Sequence, residues 1–129
     1  MSLLGAFRLS RRPGLSGEEI AADHLVRHGL VVLARNYRCR GGELDLVVRD
    51  ADGTTVFVEV KERGGRSHGE GYEAVTAGKR RRLRVAAWHY ASRHGLFESA
   101  SRFDVVSVEW EGERPRVRWD RGAFGEDGR

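Results

Sequence analysis

The chain has 129 residues, 40% hydrophobic and 33% charged, with 17 glycines, two prolines and a formal net charge of +4. This suits one globular domain and excludes a disordered chain. Cys39 is the single cysteine, so neither an internal disulfide nor a Cys-rich zinc site is available.

A reduced, cytoplasmic setting is expected. No stretch is apolar enough for a signal-peptide core or a membrane span. The basic excess is mainly arginine, as in Arg80-Arg81-Arg82. Guanidinium groups pair bidentately with phosphate, so a polyanionic partner is one reading. A solvated basic surface is the other.

In chain order, residues 1–14 read as a flexible basic arm, 15–121 as one domain and 122–129 as a flexible tail. Ser16 and Glu19 match a capping box, which starts a helix that Gly29 stops. Leu30 to Tyr37 is a predicted strand, followed by the basic loop Arg38-Cys39-Arg40-Gly41-Gly42. Leu44 to Arg49 and Thr54 to Lys61 are predicted as two more strands. Arg63 to Gly71 reads as a glycine-rich loop. A second helix is expected from an N-cap at Thr76 to Arg93, then a strand from Arg102 to Trp110. Arg116 to Trp119 reads as a short edge strand whose arginines discourage edge pairing. The order is αβββαβ with one further strand, which predicts an α/β fold with a mixed central sheet flanked by helices.

The two central strands carry the strongest signal. Leu44, Leu46 and Val48 are read as one apolar face, and Val56, Val58 and Val60 as its partner. Burying both sets together fixes the parity of the register. A two-residue Asp52-Gly53 turn has the wrong parity. A three-residue Ala51-Asp52-Gly53 loop, with Gly53 left-handed, has the right one. Leu46 then faces Val58, Asp45 faces Glu59, and Glu43 faces Lys61. Opposed side chains have Cβ atoms roughly 5 Å apart, where two carboxylates repel unless a cation sits between them. Mg²⁺ is the economical choice, with Mn²⁺ as an alternative. The competing reading is a wet sheet face, but Val47 and Phe57 share it.

The helices add an acid and a base. At about 100° per residue, Ala21, Ala22, Leu25 and Val26 share one side of the first helix, with Glu18 near the middle of that face. Leu83, Ala86, Ala87 and Tyr90 form the inner face of the second. Lys79 lies one turn before that line and points over the sheet. Arg80 and Arg81 point away, and Arg82 lies to one side. His68 falls in the glycine-rich loop. His24, His28, His89 and His94 fall on outer helix faces without metal-ligand spacing.

The segments Gly17-Glu18, Asn36-Tyr37, Gly42-Glu43-Leu44-Asp45-Leu46, Phe57-Val58-Glu59-Val60-Lys61, Lys79-Arg80 and Arg102-Phe103-Asp104-Val105-Val106 resemble the YraN family of bacterial proteins. The resemblance runs from about Gly17 to Val108. It implies a restriction-endonuclease-like fold of the PD-(D/E)xK superfamily, similar to archaeal Holliday-junction resolvases. It also implies that Asp45 and Glu59 bind metal, that Lys61 is the motif lysine, and that Glu18 matches the helix acid of the resolvase branch. Two residues depart from the superfamily pattern. Leu44 replaces the proline before the aspartate, and Glu62 follows Lys61, its charge directed to the opposite face.

The expected function is Mg²⁺-dependent hydrolysis of phosphodiester bonds, in DNA before RNA and with branched DNA as a candidate substrate. Asp45, Glu59 and the Val60 carbonyl hold the metal in this reading, and Lys61 orients the attacking water. Glu43 and Glu18 bind a second metal or anchor the first through water. Arg38, Arg40, Lys79 and Arg82 grip the nucleic-acid backbone. A branched substrate with two equivalent strands suits a homodimer. The alternatives are a non-catalytic nucleic-acid-binding module, or an interaction module docking an acidic protein partner in repair or recombination.

Overall fold

The computed structural model describes residues 16–64 and 76–124. Seven elements follow in order: α1 (Gly17–Arg27), β1 (Val31–Cys39), β2 (Gly42–Arg49), β3 (Thr55–Gly64), α2 (Ala77–His94), β4 (Ser101–Glu111) and β5 (Arg114–Phe124). The strands form one sheet in the order β1-β2-β3-β4-β5. Only the β3–β4 contact is parallel, because α2 carries the chain back across the sheet between them. The mixed α/β architecture is the one expected. The basic arm, the rest of the glycine-rich loop and His68 lie outside the described residues.

Local chemistry sets the helix starts. Ser16 and Glu19 form the reciprocal capping box, and Thr76 accepts from the Lys79 N–H. One helix packs on each sheet face. Ala21, Ala22 and Leu25 of α1 meet Leu46, Val48, Val56, Val58 and Val106. Leu83, Ala86, Ala87 and Tyr90 of α2 meet Val47, Phe57, Phe103 and Val105. Val26, expected on the inner face of α1, is exposed.

The β2–β3 hairpin has the register that parity demands: Leu46 pairs with Val58 and Arg49 with Thr55. Gly53 sits at φ 91°, as the three-residue loop requires. The ladder ends at Leu46–Val58, so Glu43 does not pair with Lys61. On its other side, β2 pairs with β1 through Arg35–Leu46 and Tyr37–Leu44, and the intervening Asn36 and Asp45 drop out. Asn36 has φ 49°, the one non-glycine positive φ among the described residues. Asp45 is therefore unpaired on both edges of its strand. The face assignment changes at this kink. Leu46 and Val48 lie against α1, while Leu44 joins the α2 layer instead of sharing their face.

Two further corrections concern the end of the sheet. The short edge strand is eleven residues long. Residues 122–124, expected in a tail, belong to it, and the Phe124 ring stacks on Phe103 at 4.9 Å.

Gly42 locks α2 to the sheet. A Cβ there would lie 2.4 Å from the Arg82 carbonyl oxygen and 2.8 Å from the Ala86 nitrogen. Both are helix backbone, so no side chain can yield. Gly42→Ala is expected to cost about 1–3 kcal/mol by overpacking. Denaturant unfolding reads this directly, and an unchanged midpoint would show that α2 tolerates displacement.

Candidate active site

The gap left where β2 and β3 part is a cleft of about 630 Å³. Its lining includes Glu18, Glu43, Asp45, Glu59, Val60, Lys79, Arg81 and Arg82. Sequence position explains how they meet. The kinked β2 presents Asp45, β3 presents Glu59, the first turn of α1 brings Glu18, and the first turns of α2 bring Lys79 and Arg82. The hairpin thus supplies the acids Glu43, Asp45 and Glu59, α1 adds a fourth in Glu18, and α2 adds the cations.

The acids are linked in series. Asp45 lies beside both Glu18 and Glu59, close enough for its charge to raise both carboxyls. Carboxylates only accept hydrogen bonds, so acids this close repel unless one takes up a proton or a cation joins them. Asp45 Oδ2 also accepts from the Val60 N–H at 2.8 Å, which pins it across the parted strands. Lys79 Nζ closes the series, 2.7 Å from Glu59 Oε2. At the other end Asn36 lies beside Glu18 and draws its carboxyl down, against the raising effects.

The electrostatics follow from this crowding. Glu59 is buried, and burial together with the adjacent Asp45 charge pushes its carboxyl up to about 7. Lys79 pulls the other way but does not offset both. Burial and Asp45 also raise Glu18. Lys79 is itself raised by its hydrogen bond to Glu59. A cluster that holds protons near neutrality for want of positive charge is a place where a cation is favoured.

The donor set suits a hard divalent ion, with limits. Among the described residues, no three His, Cys, Asp or Glu side chains form a ready metal cage. Mg²⁺ commonly takes one or two carboxylates and keeps several waters, so Asp45 and Glu59 fit it as a pair. Val60 lines the same cleft.

Other expected residues fall elsewhere. Lys61 is half-buried on β3 opposite Ser107 and does not line the cleft. Arg38 lies 3.9 Å from Glu43 on the exposed β1 edge, and Arg40 is exposed in the β1–β2 turn. Arg81, expected to point away, lines the cleft beside Arg82.

Two positioning residues escaped the sequence reading. Asn36 forms the kink beside Glu18, and its signal was an asparagine, a residue type tolerant of positive φ, inside a predicted strand. Glu62 does turn to the opposite face. There it accepts from the Gly17 N–H at 3.3 Å and Trp110 Nε1 at 2.7 Å. It thereby fixes the turn of α1 that carries Glu18, and an anion at a helix N-terminus is favourable. No local pattern reveals a bond spanning 45 residues.

Known proteins fit this picture at the level of family. The model of the uncharacterised protein family UPF0102 matches residues 17–108. A UPF0102 protein of Cupriavidus taiwanensis is 41% identical over 97% of this chain and 95% of its own length. One of Chromohalobacter salexigens is 48% identical over 89% of this chain and 92% of its own. One of Clavibacter michiganensis is 49% identical over 85% and 93%. Among solved structures, Pyrococcus furiosus SfsA in complex with Ca²⁺ is similar at a TM-score of 0.37 and 14% identity. That match covers 81% of this chain and 60% of SfsA, a likeness too distant to carry residue roles across. The relatives align along nearly their whole length and the family model spans both helices and the acidic hairpin, so the chain belongs to the uncharacterised protein family UPF0102.

Proposed function

We propose that this chain is a metal-dependent phosphodiesterase acting on nucleic acid, with DNA as the first substrate to test and branched DNA as the favoured form. One observation carries the reading. Asp45 and the buried Glu59 sit side by side in a cleft whose other wall is cationic, from Lys79, Arg81 and Arg82. Paired acids alone suit a cation, and arginines alone suit phosphate. Their juxtaposition suits a phosphodiester approaching through a bound divalent ion.

Asp45 and Glu59 would hold Mg²⁺, or Mn²⁺ in its place. The ion would polarise the phosphoryl oxygen and stabilise charge on the phosphate. The Val60 N–H keeps Asp45 turned inward. Glu18 and Glu43, which line the same cleft, would anchor metal-bound water or a second ion. Lys79 neutralises Glu59 in the resting protein and is free to turn to phosphate once a cation takes over that role. Lys61, two residues beyond Glu59 and on the same side of β3 by strand alternation, is the candidate for holding the attacking water. Arg82 and Arg81 grip the backbone, with Arg38 and Arg40 further along the edge.

The test is cleavage of linear and branched DNA and of RNA with Mg²⁺, Mn²⁺ or EDTA. Products are expected only with metal, and none from Glu59→Ala or Asp45→Ala. Products that survive in both variants would sink the assignment. One feature favours a second reading, a non-catalytic binding module: Lys79 already neutralises Glu59, and no three-ligand cage is formed among the described residues. That reading expects salt-sensitive binding, no metal dependence and no product.

No helix among the described residues is long and apolar enough to cross a membrane. Docking of a protein partner from repair or recombination, and homodimerisation on a two-stranded substrate, remain proposals. Sedimentation with and without substrate tests the second.

A further inference from the structure

Beside the acidic cleft lies a second concavity of a different chemical kind, of about 530 Å³. Its apolar part includes Phe57, Trp88, Phe97 and Phe103. Trp88 is 64% exposed and Phe97 56%, the two most exposed large hydrophobic residues among those described. Their rings lie 5.6 Å apart at 48°. Such a pair loses free energy to water unless something flat and apolar covers it.

The surroundings say what covers it. Arg81, Arg84, Val85 and Trp88 are spaced i, i+3, i+4 and i+7, so they form one stripe along α2. Arg81 and Arg84 line this concavity, and Arg81 also lines the acidic cleft. Among the described residues, neither arginine has a carboxylate partner. The stripe therefore runs from exposed aromatic rings, past two guanidinium groups, into the cleft. It spans about 10 Å of helix.

We propose that Trp88 and Phe97 form a stacking platform for an unpaired nucleobase, with the strand's phosphates passing over Arg84 and Arg81 into the cleft. This rests on the nucleic-acid reading above and narrows its substrate to one with a single-stranded segment at the cleft, such as a flap or an opened branch. The chemistry separates this occupant from a duplex. Bases inside a duplex already stack on each other, and the outer surface of a duplex offers sugar and phosphate, which gain nothing from an apolar ring. An unpaired base offers its face to aromatic rings regardless of sequence. Its phosphates match the adjacent arginines.

The experiment measures binding in EDTA, so cleavage plays no part in the readout. The probes are a fluorescein-labelled single strand, the same strand in a blunt duplex, and the same backbone with abasic sites. Trp88→Ala is expected to weaken single-strand binding by about 10-fold or more, leaving duplex binding unchanged. The abasic strand should bind the unaltered protein as weakly as the full strand binds Trp88→Ala. Trp88→Tyr should restore binding, and Arg84→Ala should lower the salt slope by about one. Exposure of Trp88 protects the fold, and Phe97→Ala provides the same reading independently.

Equal loss on all three probes, or no loss on the single strand, overturns the platform. So does a dimer that Trp88→Ala dissolves, which gives the face to a second copy. Displacement of the strand by polyglutamate from the unaltered protein but not from Trp88→Ala gives it to an acidic protein. Metal-dependent cleavage of duplex DNA can survive any of these results. Conversely, failure of cleavage leaves the stacking measurement intact.

Discussion

Asp104→Ala should lose about 3–5 kcal/mol of stability, as removal of one partner from a buried ion pair does. Asp104 is fully buried at 0% exposure, yet every donor around it is aimed at its carboxylate. Arg102 contributes Nε at 3.0 Å and a terminal nitrogen at 3.2 Å. Trp119 Nε1 donates at 2.9 Å and the Gly122 N–H at 2.9 Å. These bonds join β4 to two points on β5, across the register shift between Phe103 and Val105. Truncation leaves the part-buried indole and backbone N–H without this acceptor, and Arg102 then keeps Asp50 at 3.0 Å. A domain of this kind has roughly 5–15 kcal/mol in total, so the variant should sit near the edge of folding. Denaturant unfolding gives the number. A loss below about 1 kcal/mol would mean that the network is worth no more than one ordinary hydrogen bond. Asp104→Asn should fall between, because it keeps shape but not charge.

The same clamp explains why the end of the sheet was misread from sequence. Residues 114–124 hold four arginines, a glycine and a proline, which argue for a short, frayed edge. What makes the strand long is a carboxylate on β4, invisible to any window along β5. Elements fixed by local chemistry were legible: the two N-caps, the inner face of α2, and the β2–β3 register, which parity alone selects. The nearness of Asp45 to Glu59 followed from extending that register one residue past the ladder's last pair, Leu46–Val58. Its environment did not. The kink at Asn36 and Asp45, the rotation of Leu44 to the other layer, and the Glu62 brace on α1 all arise between segments far apart in the chain. Arg81 illustrates a milder limit. Helical spacing gives its angle about the α2 axis but not how far a long side chain reaches around it. The site was thus readable as a set of residues on elements, and unreadable where one element bends another.

Stability without metal should fall as pH rises through neutrality, and Glu59 should be the cause. The folded protein holds the Glu59 carboxyl at about 7, against 4.5 for the free side chain. Its stabilising contribution is therefore complete below about 4.5 and is lost as pH rises through about 7, because the folded state must give up a proton that the unfolded chain has already lost. The full difference is on the order of 3 kcal/mol. Glu18 is raised in the same direction and adds to the slope. Lys79 contributes none between pH 5 and 8, because its raised value only extends its charged range upward. Unfolding in EDTA at pH 5.5 and pH 8, compared between the parent chain and Glu59→Gln, isolates the effect from every other titrating group. The variant should be flatter with pH and more stable than the parent at pH 8. Mg²⁺ should then stabilise the parent by mass action, more at pH 8 than at pH 5.5, since it competes with the protons for the same oxygens. It should leave Glu59→Gln nearly unmoved. Parallel pH profiles for the two chains would show that Lys79 satisfies Glu59 as an ordinary ion pair. A Mg²⁺ shift of equal size in both would put the metal somewhere other than Glu59. The predicted pattern, in which removing the acid stabilises the protein and abolishes its response to the ion, is what a site held ready for a cation at the expense of the fold should give.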